Sequence, residues 1–111
     1  MLTVDDLKPL PITGSKTIPE DYLDEMGHMN VMWYTHLFDV AIYRLFDTLG
    51  MDTEYMKRHQ AGSFALELHV RHLAEVLVGD TVEIRTRLLG RTEKRFHVIN
   101  FMLNREALAA T

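Results

Sequence analysis

A long apolar helix is the clearest element that the pattern of hydrophobic and polar positions predicts. Apolar side chains occupy most of residues 31–49. The polar positions form only a thin line, made of His36, Asp39, Arg44 and Asp47. Asn30 is a favoured N-cap and Gly50 a favoured C-terminal stop, so both helix ends are marked. At 1.5 Å per residue the helix is about 28 Å long, and because it is apolar around most of its circumference, we expect other elements to surround it.

Shorter segments before and after this helix alternate between apolar and polar residues, as a β-strand with one buried face does. The predicted strands are residues 12–18, 64–72, 82–88 and 96–103, with a further one beginning at residues 107–111. Prolines flank the first strand, which favours an edge position. The order of strand, long helix and antiparallel meander predicts an α+β domain with the helix across one face of the sheet.

The remaining segments have weaker patterns. Residues 1–8 are polar and weakly patterned, so we expect them to be loosely held. Residues 51–60 are mostly polar and are expected to contain one irregular helical turn. With 111 residues, the chain is expected to form a single domain that spans positions 1–111.

The composition excludes several classes of function. Apolar residues make up 47% of the chain and charged residues 25%, as in ordinary soluble globular proteins. No apolar run is long enough to span a membrane and no signal-peptide pattern opens the chain, so we predict a cytoplasmic protein without a membrane partner. With no cysteine there is no disulfide, thiol nucleophile or thiolate metal site. His69 and His72 would point to opposite faces of a strand, and we predict no metal site.

Charge is spread unevenly along the chain, whose formal net charge of −4 argues against nucleic acid as a partner. Residues 1–55 hold ten acids and three bases, whereas residues 56–111 hold six acids and nine bases. Five bases fall within eleven positions, namely Arg85, Arg87, Arg91, Lys94 and Arg95. One interpretation is a binding site for the phosphates of a small ligand. The simpler interpretation is a solvated strand face with a basic turn.

The residues just before the long helix carry the candidate chemistry. Gly27 permits a tight turn, and the loop can fold the carboxylate of Asp24 back towards the helix start, where unpaired amides lie. A carbonyl oxygen placed against the amide of Val31 would be polarised as in an oxyanion hole, while Asp24 activates water or attacks directly. A thioester suits this equipment, because its thiol has a pKa of about 8.5 and leaves as the thiolate without a strong acid.

The same residues carry a resemblance to a known family. Asp24, Gly27, His28 and Asn30, followed by Tyr34 in the apolar helix, closely resemble the Asp-x-x-Gly-His-x-Asn segment of the hotdog-fold acyl-CoA thioesterases of the hydroxybenzoyl-CoA thioesterase type. Residues 73–80 resemble the end of that family's second strand, and the likeness runs from about residue 12 to the end of the chain. The residues after the histidine are also similar to a bacterial subgroup associated with betainyl-CoA hydrolysis in carnitine breakdown.

The resemblance implies a hotdog fold, in which a curved antiparallel sheet wraps the long helix. It also implies a homodimer or a homotetramer built as a dimer of dimers, with acyl-CoA at the subunit interface and no cofactor. The implied reaction is hydrolysis of a small or medium acyl-CoA, with Asp24 as base or nucleophile and the Val31 amide polarising the thioester carbonyl. Because the family usually continues beyond Thr111, the last strand is expected to be truncated. Either the natural chain is longer, or a partner fills the gap, or this form is impaired.

Several of these residues have a simpler interpretation beside the functional one. Asp24 is either the catalytic carboxylate or an acidic loop residue that satisfies nearby amides. His28 either orients the loop or touches the substrate, and Glu67 either faces the site or belongs to an exposed polar face. The expected catalytic set is Asp24, Val31, His28 and Asn30. The expected substrate-binding set is Gly27, Tyr34, Glu67, Arg91, Lys94 and Arg95.

Two hypotheses of different classes follow for the function. The first is an acyl-CoA thioesterase, which Asp24 favours, because a binding protein gains nothing from a carboxylate beside a thioester carbonyl. The second is a hotdog domain that binds acyl-CoA, or simply dimerises, without turnover. A hydratase is a weaker third hypothesis, since it would need a different arrangement of aspartate and histidine. The sequence does not predict the acyl group, because the pocket would draw side chains from two subunits.

Overall fold

The computed structural model describes residues 2–63 and 65–111, which form an antiparallel sheet with one long helix across it. The strands are β1 (Ile12–Thr17), β2 (Thr81–Arg91), β3 (Phe96–Asn104) and β4 (Ala107–Ala110). They follow the order β1-β2-β3-β4, so β1 occupies an edge as predicted. The helices are α1 (Val4–Leu7), α2 (Val31–Thr48) and α3 (Thr53–Arg58), and Glu20–Tyr22 forms a 3₁₀ turn. The predicted α+β class is confirmed.

One face of α2 packs on the sheet and fixes the position of the helix. Its buried side chains recur at helical spacing: Tyr34, Leu37, Phe38, Ala41, Leu45 and Phe46. Val82, Ile84 and Met102 of the sheet belong to the same core. The opposite side of α2 is open in this chain, where Met32 is 59% and Tyr43 57% exposed. The expectation that other elements surround α2 is therefore met on one side within a single chain.

The prediction that residues 1–8 are loosely held is wrong for the part that the structure describes. The hydroxyl of Thr3 accepts a hydrogen bond from the Asp6 amide at 3.3 Å, and the Asp6 carboxylate accepts one from the Thr3 amide at 2.8 Å. This capping box starts α1. Leu7 is only 2% exposed and packs with Leu103 on the face of the sheet opposite α2. The segment is held because its single well-placed leucine finds that second face.

The predicted strand at residues 64–72 is also wrong for its described part, and Phe64 lies outside the described residues. Its last residues pair with the end of β4, where Arg71 and Thr111 exchange backbone hydrogen bonds of 2.9 and 3.1 Å. The alternation is present, but a strand also needs a neighbour for its backbone groups, and β4 provides one only at this end. The leucine at position 66 is consequently 66% exposed.

The other predicted elements agree with the structure to within a few residues. Strands β2, β3 and β4 fall where the alternation placed them, and the predicted turn at residues 51–60 is α3. Asp52 caps α3, since its Oδ1 accepts a hydrogen bond from the Tyr55 amide at 2.9 Å. Across residues 2–63 and 65–111, the helices lack the length and apolar character needed to cross a bilayer.

One carboxylate holds the turn that leads into β2. Asp80 Oδ2 accepts hydrogen bonds from the Leu77 amide at 2.9 Å and from Asn104 Nδ2 at 2.9 Å. The bond from Leu77, and then the bond from Asn104, keep the pKa of Asp80 below its ordinary value of 3.8. Because Asn104 ends β3, Asp80 ties the turn before β2 to the neighbouring strand.

We expect Asp80→Ala to lower the free energy of unfolding at neutral pH by about 1 kcal/mol, the usual net contribution of such hydrogen bonds. A carboxyl whose folded pKa is lowered stabilises the fold above its unfolded pKa, and this contribution is lost as the pH falls through the folded value. The difference between variant and parent should therefore shrink as the pH falls below about 4. Denaturant unfolding across this range measures it, with the exposed Glu93→Ala as control. A difference independent of pH would contradict the role of the charge.

Candidate active site

The loop before α2 is closed on itself by Asp24. The Asp24 Oδ1 atom accepts hydrogen bonds from the Met26 amide at 2.8 Å and from the His28 amide at 3.1 Å. The Asp24 amide in turn donates to the His28 carbonyl at 2.8 Å. Gly27 has a φ of 82°, a left-handed conformation that side chains disfavour, which explains the glycine at the tip of this turn. The loop therefore sets the orientation of the carboxylate.

The second carboxylate oxygen of Asp24 takes no part in the hydrogen bonds of the loop. Within residues 2–63 and 65–111, Oδ2 has no hydrogen-bond partner, and the side chain is half-buried. The two interpretations of Asp24 are thus compatible, since one oxygen satisfies the loop amides and the other makes no hydrogen bond to the described residues. The arrangement can orient a water molecule or place an oxygen against a carbonyl carbon.

The start of α2 leaves one amide unpaired. Asn30 is the N-cap as predicted, because its Oδ1 accepts a hydrogen bond from the Met32 amide at 3.0 Å. The Trp33 amide donates to the Asn30 carbonyl at 3.0 Å. No partner in the described part of the chain accepts from the Val31 amide. It therefore remains available at the positive end of the helix dipole, where a developing oxyanion is stabilised.

A cleft of about 370 Å³ opens at this helix start. It is lined by Asp24, His28, Met29, Val31, Tyr34, His72, Leu73, Ala74 and Glu75. Two distant segments form its walls, because the Met29 amide donates to the Val76 carbonyl at 2.8 Å. Across the same junction, His28 Nε2 lies 3.0 Å from Glu75 Oε2. Residues 24–34 and 73–80, the two segments that resemble the thioesterase family, therefore meet at one site.

Tyr34 also lines this cleft. The residue is only 4% exposed, and its ring meets that of His72 edge to face, with centroids 4.7 Å apart. Burial raises the pKa of the Tyr34 hydroxyl, and the negative charges of Asp24 and Glu75 raise it further. The phenol therefore stays protonated at neutral pH and can donate a hydrogen bond.

Residues 18–111 match the Thioesterase-like superfamily. The chain belongs to this superfamily. Betainyl-CoA thioesterase of Pseudomonas aeruginosa is 36% identical over 81 residues, which cover 73% of this chain and 50% of that protein. L-carnitine dehydrogenase/betainyl-CoA thioesterase of Ruegeria pomeroyi is 32% identical over 110 residues, which cover 98% of this chain and 22% of that protein. The chain thus spans half or less of the length of these two curated relatives.

Solved structures share the fold of this thioesterase-like chain. A candidate thioesterase from Pseudomonas putida KT2440 matches with a TM-score of 0.80 at 33% identity, covering 92% of this chain and 68% of that chain. A hypothetical protein from Staphylococcus aureus, solved in complex with CoA, matches with a TM-score of 0.85 at 20% identity, covering 91% and 65%. The resemblance to hotdog-fold thioesterases is confirmed.

The thioesterase-like fold brings most of the predicted site residues together at the start of α2. These are Asp24, Gly27, His28, Asn30, Val31 and Tyr34. Glu67 is placed elsewhere, exposed in the irregular segment after α3 and outside the lining of the cleft. The predicted strand at residues 64–72 did not form, so its alternation does not orient Glu67 towards the site.

The bases of the turn between β2 and β3 lie at the far end of α2. Arg91, Lys94 and Arg95 are exposed there, and the ring of Phe96 packs 6.1 Å from that of Phe46 near the helix end. At 1.5 Å per residue, Phe46 lies roughly 22 Å along the helix from its first residue. Within one chain, the structure does not bring these three bases to the cleft.

Arg85 has a structural role that neither interpretation of the basic cluster foresaw. Its Nη1 donates hydrogen bonds to the Lys8 carbonyl at 2.6 Å and to the Leu10 carbonyl at 2.7 Å. Its Nε donates to Glu83 at 3.2 Å. The guanidinium thus ties the segment after α1 to β2 and is not free to bind a phosphate.

Reasoning from the sequence missed two ionisable side chains that line the cleft, His72 and Glu75. Glu75 lies within the segment that resembles the family's second strand ending, which is the only signal that pointed to its neighbourhood. His72 was assigned to a strand by its alternation, without a role at the site. In the described ranges, no group of three or more histidine, aspartate or glutamate side chains is placed to hold a metal ion.

Proposed function

We propose that this protein hydrolyses acyl-CoA thioesters with a small or medium acyl group, releasing the free acid and CoA. The observation that carries the proposal is that one cleft is lined by two groups without a hydrogen-bond partner among residues 2–63 and 65–111, the Oδ2 atom of Asp24 and the amide of Val31. The Pseudomonas aeruginosa relative is named a betainyl-CoA thioesterase, and the Staphylococcus aureus neighbour was solved with CoA. Both support a CoA thioester as the substrate, and betainyl-CoA is the first one to test.

The groups at the helix start are suited to both steps of a thioester hydrolysis. The Val31 amide donates a hydrogen bond to the thioester carbonyl oxygen, and the helix dipole stabilises the negative charge that develops there. Asp24 either takes a proton from the attacking water or attacks the carbonyl carbon itself, forming an anhydride that water then opens. In both routes the carbon–sulfur bond breaks, CoA leaves as the thiolate, and the acyl group is released as the free acid after one water molecule is consumed.

The neighbouring residues of the loop have supporting roles in this proposal. Asn30 caps α2 and thereby keeps the Val31 amide at the helix start, and Gly27 allows the turn that orients Asp24. His28 fixes the loop through its backbone, while its ring faces Glu75 across the cleft. Tyr34 forms part of the acyl pocket.

A binding domain without turnover is the second candidate function. The observation in its favour is that Asp24 Oδ1 accepts two loop amides, as a purely structural carboxylate would. The two candidates differ in the consequence of removing the charge of Asp24 while keeping its shape.

We expect Asp24→Asn to leave the fold and acyl-CoA binding nearly intact, because the amide oxygen still accepts from the loop amides. Hydrolysis should fall by at least about a hundredfold, the lower range for losing a positioned base. Thiol trapping on a panel of acyl-CoA substrates measures turnover, and calorimetry measures binding. The matched control is Glu25→Gln, which removes the adjacent exposed carboxylate. A variant at position 24 that keeps the parent rate would remove Asp24 from the chemistry.

We further propose that Arg91, Lys94 and Arg95 hold the phosphates of CoA. Because these bases lie far from the cleft of their own chain, they would serve the cleft of a partner subunit. Replacing all three with glutamine should raise KM with little change in kcat, since phosphate contacts are equal in the ground and transition states. The effect should weaken as salt is added. Lys57→Gln with Arg58→Gln on α3 is the control, and an unchanged KM in the triple variant would leave the bases as a solvated turn.

We propose a homodimer, or a dimer of dimers, as the working assembly. The uncovered side of α2 exposes Met32, Val40 and Tyr43, and a second copy would remove this apolar surface from water. Sedimentation at micromolar concentration should show a dimer or tetramer that persists as salt is raised, since apolar burial is not screened. A folded monomer under these conditions is the result that the proposal excludes.

A further inference from the structure

The cleft contains one hydrogen-bonding group to which the proposed hydrolysis gives no chemical role, the hydroxyl of Tyr34. The residue is only 4% exposed, and its hydroxyl makes no hydrogen bond to residues 2–63 and 65–111. The hydroxyl oxygen is not sealed from solvent, and the residue lines the cleft. Buried hydroxyls normally have a partner, so an unpartnered one at a cleft is placed to bond a molecule bound there.

Tyr34 lies on the same side of the first turn of α2 as Val31. Residues three apart on a helix are neighbours, with Cβ atoms about 5–6 Å apart, and helical side chains point back towards the N-terminus. The phenol of Tyr34 therefore extends towards the helix start, where the Val31 amide has no partner in the described part of the chain. The cleft is thus lined by two donors that a single ligand atom could share.

The charge of Asp24 acts on the Tyr34 hydroxyl. Burial raises the pKa of this hydroxyl most, followed by the negative charges of Asp24 and then Glu75. Because a Coulomb interaction weakens with distance, the hydroxyl lies near the carboxylate that is proposed to act on the carbonyl carbon. The raised pKa also keeps the hydroxyl protonated at neutral pH, so it is a donor rather than a phenolate that would repel an oxyanion.

We propose that the Tyr34 hydroxyl is a second hydrogen-bond donor to the thioester carbonyl oxygen, which lies between it and the Val31 amide as negative charge develops. This inference rests on the proposed function, because it adds a catalytic residue to the same step. The hydroxyl keeps its proton throughout, and the oxyanion returns to a carbonyl when the carbon–sulfur bond breaks. His72 packs against the Tyr34 ring, with centroids 4.7 Å apart, and so helps to hold the phenol in place.

Tyr34→Phe removes the hydroxyl and keeps the ring. We expect kcat on betainyl-CoA to fall by about a hundredfold, the lower range for the loss of one oxyanion donor, with KM nearly unchanged. The melting temperature should not fall, because the hydroxyl has no partner in the described chain whose loss would cost stability. Tyr43→Phe is the matched control, since it removes an exposed hydroxyl of the same helix outside the cleft, and it should keep the parent rate. A Tyr34→Phe variant with the parent kcat would overturn the proposal.

A second substrate separates this role from one in which the hydroxyl holds the attacking water. In the dithioester analogue of betainyl-CoA, sulfur replaces the carbonyl oxygen, and sulfur is a weak acceptor. The ratio of the two rates, thioester over dithioester, should therefore fall by about tenfold in Tyr34→Phe, because the lost donor served mainly the oxygen. If the hydroxyl held water, both substrates would slow equally, and an unchanged ratio would overturn the proposal.

A measurement on the bound thioester distinguishes a failure of this inference from a failure of the proposed hydrolysis. Infrared difference spectra of betainyl-CoA, isotopically labelled at the carbonyl carbon, report hydrogen bonds to that carbonyl whether or not it is hydrolysed. The carbonyl stretch should lie at a lower frequency in the complex with Asp24→Asn than in the complex with the double variant that also carries Tyr34→Phe. This difference, without hydrolysis by the parent, would support the contact and overturn the thioesterase proposal. Hydrolysis by the parent, with equal carbonyl frequencies and an unchanged kcat in Tyr34→Phe, would do the reverse.

Discussion

The packing of α2 on the sheet is the interaction on which the rest of the structure depends. Ala41 lies at the centre of the buried face, fully excluded from solvent, and it faces Gly14 of β1, where an added Cβ would lie 4.0 Å from the alanine methyl. Small residues on both elements let the helix lie close to the sheet. This position of the helix brings its first turn close to Val76. The loop before the helix is then held by the hydrogen bond from the Met29 amide to the Val76 carbonyl.

The site depends on this placement and on two carboxylates that each use one oxygen for a structural contact. Asp24 uses one oxygen to shape its loop, and Glu75 uses one to contact His28. In each residue the second carboxylate oxygen makes no hydrogen bond to residues 2–63 and 65–111, so the groups that organise the cleft also line it with carboxylate oxygens. Tyr34 lines the same cleft, and burial, followed by the negative charges of Asp24 and Glu75, raises the pKa of its hydroxyl. The side chains that hold the loop and the cleft together are therefore the ones proposed to act in hydrolysis.

The helix is more apolar than one sheet face can cover. Its buried stripe meets the sheet, whereas Met32 and Tyr43 remain more than half exposed on the other side. The thin polar line that includes Asp39 runs along this open side and does not shield those side chains. The segment after α3 is also incompletely covered. Its sequence alternates between apolar and polar residues, but only its last residues pair with the end of β4. Within one chain, α2 and the segment that contains Leu66 therefore both leave apolar surface exposed.

The sequence by itself determined the features that depend on short-range chemistry. Asn30 caps α2 at the predicted residue, Gly27 takes the turn conformation that the loop needs, and the alternation of β2 and β3 matches their pairing. Tertiary structure alone decided the rest. Alternation shows which side chains can share a face but not whether a partner strand is present, so residues 65–70 remain irregular. The contact of Glu75 with His28 joins segments far apart in the chain, and only the packing of α2 against the sheet brings them together.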